Sequence, residues 1–194
     1  PQVIGKDPEQ LAAMLRALRD LGHTEVNLNA GCPWKFVARK GRGAGLLADA
    51  EALRRMLDAG CAALPEGFSI KVRLGVNAPD TLAQRVLLLN EYPLREVIVH
   101  PRTAAQMYGG QVLLEAFEAV CREIRAPVTY NGDLYTPADF AALRQRFPSV
   151  TRWMIGRGLV ADPFLPAAIR AVERDGRIPP DPGTAGALQA FHDE

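Results

Sequence analysis

Apolar residues in this chain switch between two spacings. At Leu11, Met14, Leu15, Leu18 and Leu21 they recur every three or four positions, the period of a helix with one buried face. At Ile70, Val72 and Leu74 they recur every second position, with Lys71 and Arg73 between them, the period of a strand. The two periods alternate along the chain. They predict a strand tail over residues 1–5, a helix opened by Asp7 or Pro8 and running to 21, a strand over 26–29, a helix over 49–63 and a strand over 68–74. A helix over 81–91, a strand over 96–100, a helix over 113–124, a strand over 127–130, a helix over 137–147 and a strand over 152–155 follow, and a last helix starts near Asp162 or Pro163. No hairpin signal separates the strands, so they are predicted to lie parallel in an α/β sheet with helical crossovers.

The strongest break in these periods is residues 25–49, E-V-N-L-N-A-G-C-P-W-K-F-V-A-R-K-G-R-G-A-G-L-L-A-D. Pro33 cannot donate a ladder hydrogen bond, so the strand ends there with Cys32 at its carboxyl end; a basic, glycine-rich loop follows, and an apolar helix begins near Leu46. In α/β folds ligands bind at the carboxyl ends of strands. A cysteine on its own is most often a small buried apolar residue. Here Asn29 lies three residues upstream, and Lys35, Arg39, Lys40 and Arg42 follow within ten residues, which gives an anionic ligand a route to the thiol.

Other strand ends carry polar chemistry too. Lys71 and Arg73 point the same way, and inside a closed barrel bare cations are costly unless a polar or anionic ligand meets them; on an edge strand they would be two solvated charges. The strand ending at His100-Pro101-Arg102 is followed by Gln106 and Tyr108. Asn131-Gly132-Asp133 makes a tight turn of a kind common anywhere. Gly156-Arg157-Gly158 precedes a helix and suits a phosphate through backbone N–H groups, the helix dipole and a guanidinium. Polar groups at the ends of five strands favour a (β/α)8 TIM barrel over a doubly wound sheet. Six predicted strands do not close a barrel of eight, so the first two strand-helix units are expected to be lacking. Residues 1–178 then form a partial barrel, and 179–194, opening on Pro179-Pro180-Asp181-Pro182-Gly183, form a linker and the start of a helical domain.

Composition adds exclusions. A chain of 194 residues with 48% hydrophobic residues can bury a core of its own, and no apolar run reaches the length of a membrane span. Three cysteines, at 32, 61 and 121, form no metal-ligand spacing and no disulfide framework, so no metal is expected and a reducing cytoplasm fits. A net charge of +1 argues against a protein that coats nucleic acid but leaves room for a local basic patch, densest from Lys35 to Arg42; the plainer reading of that patch is a solvated loop.

N-L-N-A-G-C-P, followed by Val37 and G-R-G-A-G-L-L, resembles the signature of the tRNA-dihydrouridine synthases, flavoenzymes that reduce uridine in tRNA. K-V-R-L-G from Lys71, V-H-P-R-T from Val99 with Gln106 and Tyr108, Y-N-G-D from Tyr130 and M-I-G-R-G from Met154 extend the likeness in the family's order, over about residues 3–169. The resemblance implies a TIM barrel holding flavin mononucleotide (FMN), with NADPH as reductant and tRNA as partner, acting as a monomer. It implies that Lys71 and His100 contact the flavin ring and ribityl region, that Asn131 and Asp133 hold the ribityl or phosphate region, and that Gly156 and Arg157 bind the phosphate. Asn29, Arg73 and Tyr108 match the positions lining the uracil pocket. Hydride would pass to carbon 6 of a uridine extruded from the folded tRNA, and Cys32 would give the proton to carbon 5. A thiol, with an ordinary pKa of about 8.5, is protonated at neutral pH yet able to release its proton to a developing enolate. A dihydroorotate dehydrogenase-like flavin barrel is an alternative, but such proteins usually carry serine before the cysteine and lack the V-H-P-R and G-R-G pairing. A non-catalytic RNA-binding barrel is another, though it would have no need to keep Cys32 or Lys71.

Overall fold

Five strands of the unit Pro1–Tyr130 lie side by side in chain order, each parallel to the next: β1 (Gln2–Val3), β2 (Val26–Ala30), β3 (Phe68–Gly75), β4 (Val97–Thr103) and β5 (Val128–Tyr130). A doubly wound sheet reverses its strand order part-way. Within this unit spatial and chain order agree throughout, as in a barrel. The computed structural model describes residues 1–176; the expected linker and helical stub, 179–194, lie outside the described residues.

The helices between these strands are α1 (Pro8–Asp20), α2 (Lys35–Ala38), α3 (Ala50–Ala63), α4 (Val86–Leu89) and α5 (Leu114–Glu123). Asp7 caps α1: its carboxylate accepts from the N–H groups of Glu9 at 2.9 Å and Gln10 at 3.2 Å, and Pro8 occupies the first turn, where its missing N–H costs nothing. Asp49 caps α3 in the same way, accepting from Ala52 at 3.0 Å. Leu11 and Leu15 of α1 are buried, and α1 packs along α3. Met14 and Leu21, expected on the same apolar stripe, are 52% and 77% exposed, because they fall to the side of the Leu11–Leu15 line.

Strand register sorts the sheet into two faces. Val26, Leu28, Ile70, Val72, Val97 and Val99 are buried on one, with Leu53, Met56, Leu57 and Phe117 from the helices completing the core. The other face is polar. Gln2 pairs in register with Asn27, Asn27 with Ser69, Asn29 with Lys71, and Arg73 with His100. Its amides satisfy one another: Gln2 Nε2 donates to Asn27 Oδ1 at 2.7 Å, Asn29 Nδ2 to Gln2 Oε1 at 2.9 Å, and Asn27 Nδ2 to Ser69 Oγ at 3.0 Å. The edge-strand reading of Lys71 and Arg73 is therefore overturned, since β3 lies between β2 and β4.

Three predicted boundaries move. β4 does not stop at His100 but runs on through Pro101 to Thr103. Arg73 pairs with His100 and Gly75 with Thr103, so β4 spends three steps where β3 spends two, and this bulge absorbs the proline. The helix expected over 81–91 is instead a short 3₁₀ turn, Ala83–Arg85, followed by α4. The helix expected near Leu46 is a 3₁₀ segment, Gly43–Ala48, that precedes α3, and the loop before it contains α2.

The second unit begins at Asn131 and contains α6 (Pro137–Arg146), β6 (Arg152–Trp153), α7 (Arg157–Ala161) and α8 (Leu165–Asp175). Thr136 and Asp139 form a capping box at the start of α6. Phe140 is fully buried and packs edge-on against Trp153, ring centroids 5.2 Å apart.

Candidate active site

Cys32 is held by Asn29. The Asn29 side-chain oxygen accepts from the N–H of Gly31 at 3.1 Å and of Cys32 at 2.9 Å, turning the chain as β2 ends, while its amide nitrogen is tied to Gln2. The carboxamide expected to line a uracil pocket thus also builds the cysteine loop. The 3₁₀ segment closes on the other side: Ala44 N–H donates to the Cys32 carbonyl at 3.0 Å. Gly43 sits at φ +55°, and a Cβ there would lie 2.7 Å from Cys32 Cβ. The glycine lets the backbone close on the cysteine, a packing demand rather than an anion site. Cys32 itself is half-buried. Lys35, Arg39, Lys40 and Arg42 are exposed, together with Trp34 and Phe36.

Lys71 stands beside Asn29 in register, on the polar face. Burial, and then the neighbouring Arg73, lower its pKa from 10.5 to about 8. Its ammonium makes no hydrogen bond or ion pair among the described residues. Arg73, 2% exposed, is anchored by three hydrogen bonds: Nε donates to the Gly31 carbonyl at 3.0 Å, and Nη1 to the carbonyls of Thr103 at 2.9 Å and Met107 at 2.6 Å. Burial pulls its pKa down, while Tyr108 and Cys32 act to raise it. Its guanidinium lies 5.3 Å from the centroid of the Tyr108 ring, which in turn lies 6.5 Å from that of His100. Cys32, Lys71, Arg73, His100 and Tyr108 thus gather around the carboxyl ends of β2, β3 and β4.

Arg102 and Gln106, not singled out as site residues from the sequence, organise the loop that carries Tyr108. Arg102, 2% exposed, donates to the carbonyls of Gly109 at 3.1 Å and Gly110 at 2.5 Å, and its Nη1 meets His100 Nε2 at 3.3 Å. A guanidinium has no acceptor, so Nε2 accepts in that contact and the imidazole proton sits on Nδ1. Gln106 accepts from Thr103 N–H at 2.9 Å and donates to the Gln111 carbonyl at 3.1 Å. Met107, between them, takes a positive φ of 52°. The V-H-P-R-T block carried the signal for Arg102, but its partners are backbone carbonyls and leave no residue pattern to read.

In the second unit, Asn131 Nδ2 donates to the Met154 carbonyl at 2.9 Å. Arg157 and Asp133, expected to contact different parts of one ligand, form an ion pair at 2.8 Å, with the guanidinium 5.6 Å from the Tyr135 ring centroid. A short helix not expected from the sequence, α7, starts at Arg157 directly after Gly156, and the helix expected near Asp162 or Pro163 is α8, starting at Leu165. A Cβ at Gly158 would run into the Leu134 carbonyl, so that glycine is required by packing; at Gly156 it would meet nothing within 4 Å. A cleft of about 610 Å³ lies between β1 and α1, and no predicted site residue lines it.

Residues 1–192 match the family model for dihydrouridine synthase. The chain belongs to the dihydrouridine synthase family. It is 35% identical over 173 residues to a tRNA-dihydrouridine(16) synthase of Cupriavidus necator, covering 88% of this chain and 53% of that protein. It is 30% identical over 165 residues to a tRNA-dihydrouridine synthase B of Pseudomonas aeruginosa, covering 84% and 49%. The chain thus spans about half the length of the curated relatives it matches. Among solved structures, morphinone reductase superposes with a TM-score of 0.62 at 18% identity, over 92% of this chain and 51% of its own. Histamine dehydrogenase from Rhizobium sp. 4-9 superposes with a TM-score of 0.64 at 14% identity, over 88% and 27%. At such identities the likeness is one of fold, and the fold is the TIM barrel.

Proposed function

We propose that this chain is the catalytic part of an enzyme that reduces uridines in tRNA to 5,6-dihydrouridine, using FMN re-reduced by NADPH. The observation that carries the reading is the pairing of two groups at adjacent strand ends. One is the half-buried Lys71 ammonium, without a hydrogen bond or ion pair among the described residues; the other is the Cys32 thiol, in a loop that Asn29 builds. A desolvated cation without a counter-charge is costly, and an electron-rich ring carrying carbonyl oxygens beside it removes that cost. By the matched motifs, Lys71 and His100 of the first unit would hold the ring and ribityl region of FMN, and in the second unit Asn131 and Asp133 would hold the ribityl or phosphate region and Gly156 and Arg157 the phosphate. The Arg157–Asp133 ion pair makes Arg157 a phosphate ligand only if the pair loosens or Asp133 shares it with a ribityl hydroxyl. When bound, the cofactor would supply the hydride for carbon 6 of the uracil.

This chain's own residues would then position the base and move one proton. Asn29, Arg73 and Tyr108 would orient the uracil edge, Arg73 being fixed by the Nε and Nη1 hydrogens that it gives to backbone carbonyls. Cys32 Sγ–H would protonate carbon 5, its thiolate returning to the thiol from solvent. The family's relatives named as tRNA-dihydrouridine synthases support tRNA as the substrate.

The test uses the full-length enzyme, loaded with FMN and reduced beforehand, mixed with unmodified tRNA in a single turnover. Cys32→Ala is expected to slow flavin reoxidation by tRNA by about 10²- to 10⁴-fold, the usual size of a lost general acid, while leaving reduction by NADPH nearly intact. Cys61→Ala and Cys121→Ala serve as controls and are expected to alter stability alone. Reoxidation at the wild-type rate in the Cys32 variant would remove the thiol from the mechanism.

A further inference from the structure

Two large aromatic rings beside Cys32 have no role in the site described above. Trp34 is 62% exposed and Phe36 is 73% exposed, on either side of Lys35. Residues of this kind are ordinarily buried, and two together on one short turn make an apolar patch that water does not favour. The backbone beneath them is fixed: the Trp34 carbonyl accepts from the N–H groups of Val37 and Ala38, both at 2.9 Å. Pro33, next to Cys32, is buried, so the rings stand on a rigid support two residues from the thiol.

Charge narrows the choice of partner. Lys35, Arg39, Lys40 and Arg42 share this exposed segment with the rings, and no Asp or Glu occurs between Val26 and Ala48. None of the four cations enters an ion pair among the described residues. Lys40 Nζ lies 4.1 Å from the centroid of Phe36, holding that ring by a cation–π contact. An acidic peptide would satisfy the cations and leave the flat faces unused. A membrane surface calls for an amphipathic helix of several turns, whereas α2 has four residues. Paired RNA keeps its bases stacked inside the helix and presents phosphates. Exposed rings interleaved with cations are instead the platform on which unpaired bases stack.

We propose that Trp34 and Phe36 stack on an unpaired base of the RNA substrate, at or next to the uridine delivered to Cys32, while Lys35, Arg39, Lys40 and Arg42 hold the adjoining phosphates. This rests on the proposed reaction, which takes a uridine out of its stack and so exposes its neighbours' faces. Stacking on the rings replaces the base–base stacking given up and holds the strand open beside the thiol.

The test compares Trp34→Ala, Phe36→Ala, the double variant and Trp34→Phe in the full-length, flavin-loaded enzyme, with unmodified tRNA and with heparin, a polyanion without bases. Loss of one stacked base is expected to weaken tRNA binding about 5- to 100-fold for each alanine variant. The same change is expected in KM, with flavin reduction by NADPH unchanged, heparin affinity unchanged, and most of the affinity retained by Trp34→Phe. Equal loss of tRNA and heparin affinity would show that the rings do not read bases, and would overturn the inference. A lowered melting temperature with unchanged tRNA affinity would place the rings under another part of the protein, and would also overturn it. If wild-type enzyme neither binds nor reduces tRNA, it is the proposed reaction that fails, a result distinct from either of these.

Discussion

Lys71 shows how one residue's chemistry is set by its neighbours. In the sequence it is one of two cations alternating with apolar residues; in the fold it is half-buried on the polar face, beside the anchored Arg73, with its pKa lowered to about 8. The sign of the linkage follows. Between about pH 8 and the ordinary lysine value of 10.5 the unfolded chain binds more protons at this position than the folded one, so folding stability rises with pH across that window. Below pH 8 both states carry the charge, and the cost of burying it is felt in full. Urea unfolding of cofactor-free protein at pH 7.5 and pH 10 is therefore expected to show wild type gaining stability relative to Lys71→Met as pH rises. A constant difference between the two proteins would mean that the Lys71 ammonium is not desolvated. Cys61 shows the same principle for a thiol: burial pushes it up to about 11, so it stays protonated and unreactive at neutral pH, as suits a control residue.

At the scale of elements, the Cys32 loop is shaped by a close approach that no periodicity records. The G-R-G-A-G run reads as a basic, glycine-rich loop; in the fold Gly43 is pressed against Cys32 at positive φ, within a 3₁₀ segment whose Ala44 N–H bonds the cysteine carbonyl. Gly43→Ala is expected to cost at least about 1–2 kcal/mol from the left-handed backbone alone, with the Cβ contact adding to it. Because the displaced loop no longer covers the cysteine, alkylation of Cys32 by a thiol reagent is expected to quicken in the same variant. Unchanged stability and unchanged alkylation would mean that the loop does not close on Cys32. Elements with a strong amphipathic period, such as α1 and α3, were legible in the sequence to within a residue of their starts, Asp7 or Pro8 opening the first and residue 49 the second, while the structure shows Asp7 and Asp49 as their caps. β4 was legible only to His100. Its continuation through Pro101 depends on a bulge against β3 and on the Leu113 N–H, which donates to the Pro101 carbonyl at 2.7 Å. Residues 81–91 have helix-like apolar spacing but fold as two short turns, since tertiary context overrides a weak local preference.

For the whole protein, the near-neutral total charge hides a local field. Lys35, Arg39, Lys40 and Arg42 lie exposed in one segment without a carboxylate among them. Replacing all four by alanine in the full-length enzyme is expected to weaken tRNA binding at low salt and to flatten the dependence of log affinity on log salt by as much as about 3, at about 0.7 to 0.9 for each of four phosphates no longer neutralised. A variant with the wild-type salt slope would show the cluster to be an ordinary solvated loop. The sequence by itself determined the alternation of strands and helices, their parallel arrangement, the placing of Cys32, Lys71 and His100 at successive strand ends, and the family. These follow from apolar period, from proline and glycine punctuation, and from motif blocks, all of them local. Only the tertiary structure decided which polar groups are already spent. Arg73 and Arg102 read as cations awaiting a ligand, yet each already donates twice to backbone carbonyls of the segment Thr103–Gly110. Lys71, of the same charge and on the same face, is left with its ammonium unmatched among the described residues. The reason is physical: a carbonyl acceptor has no side-chain identity, so a sequence displays the donors of a buried network but not the backbone that receives them.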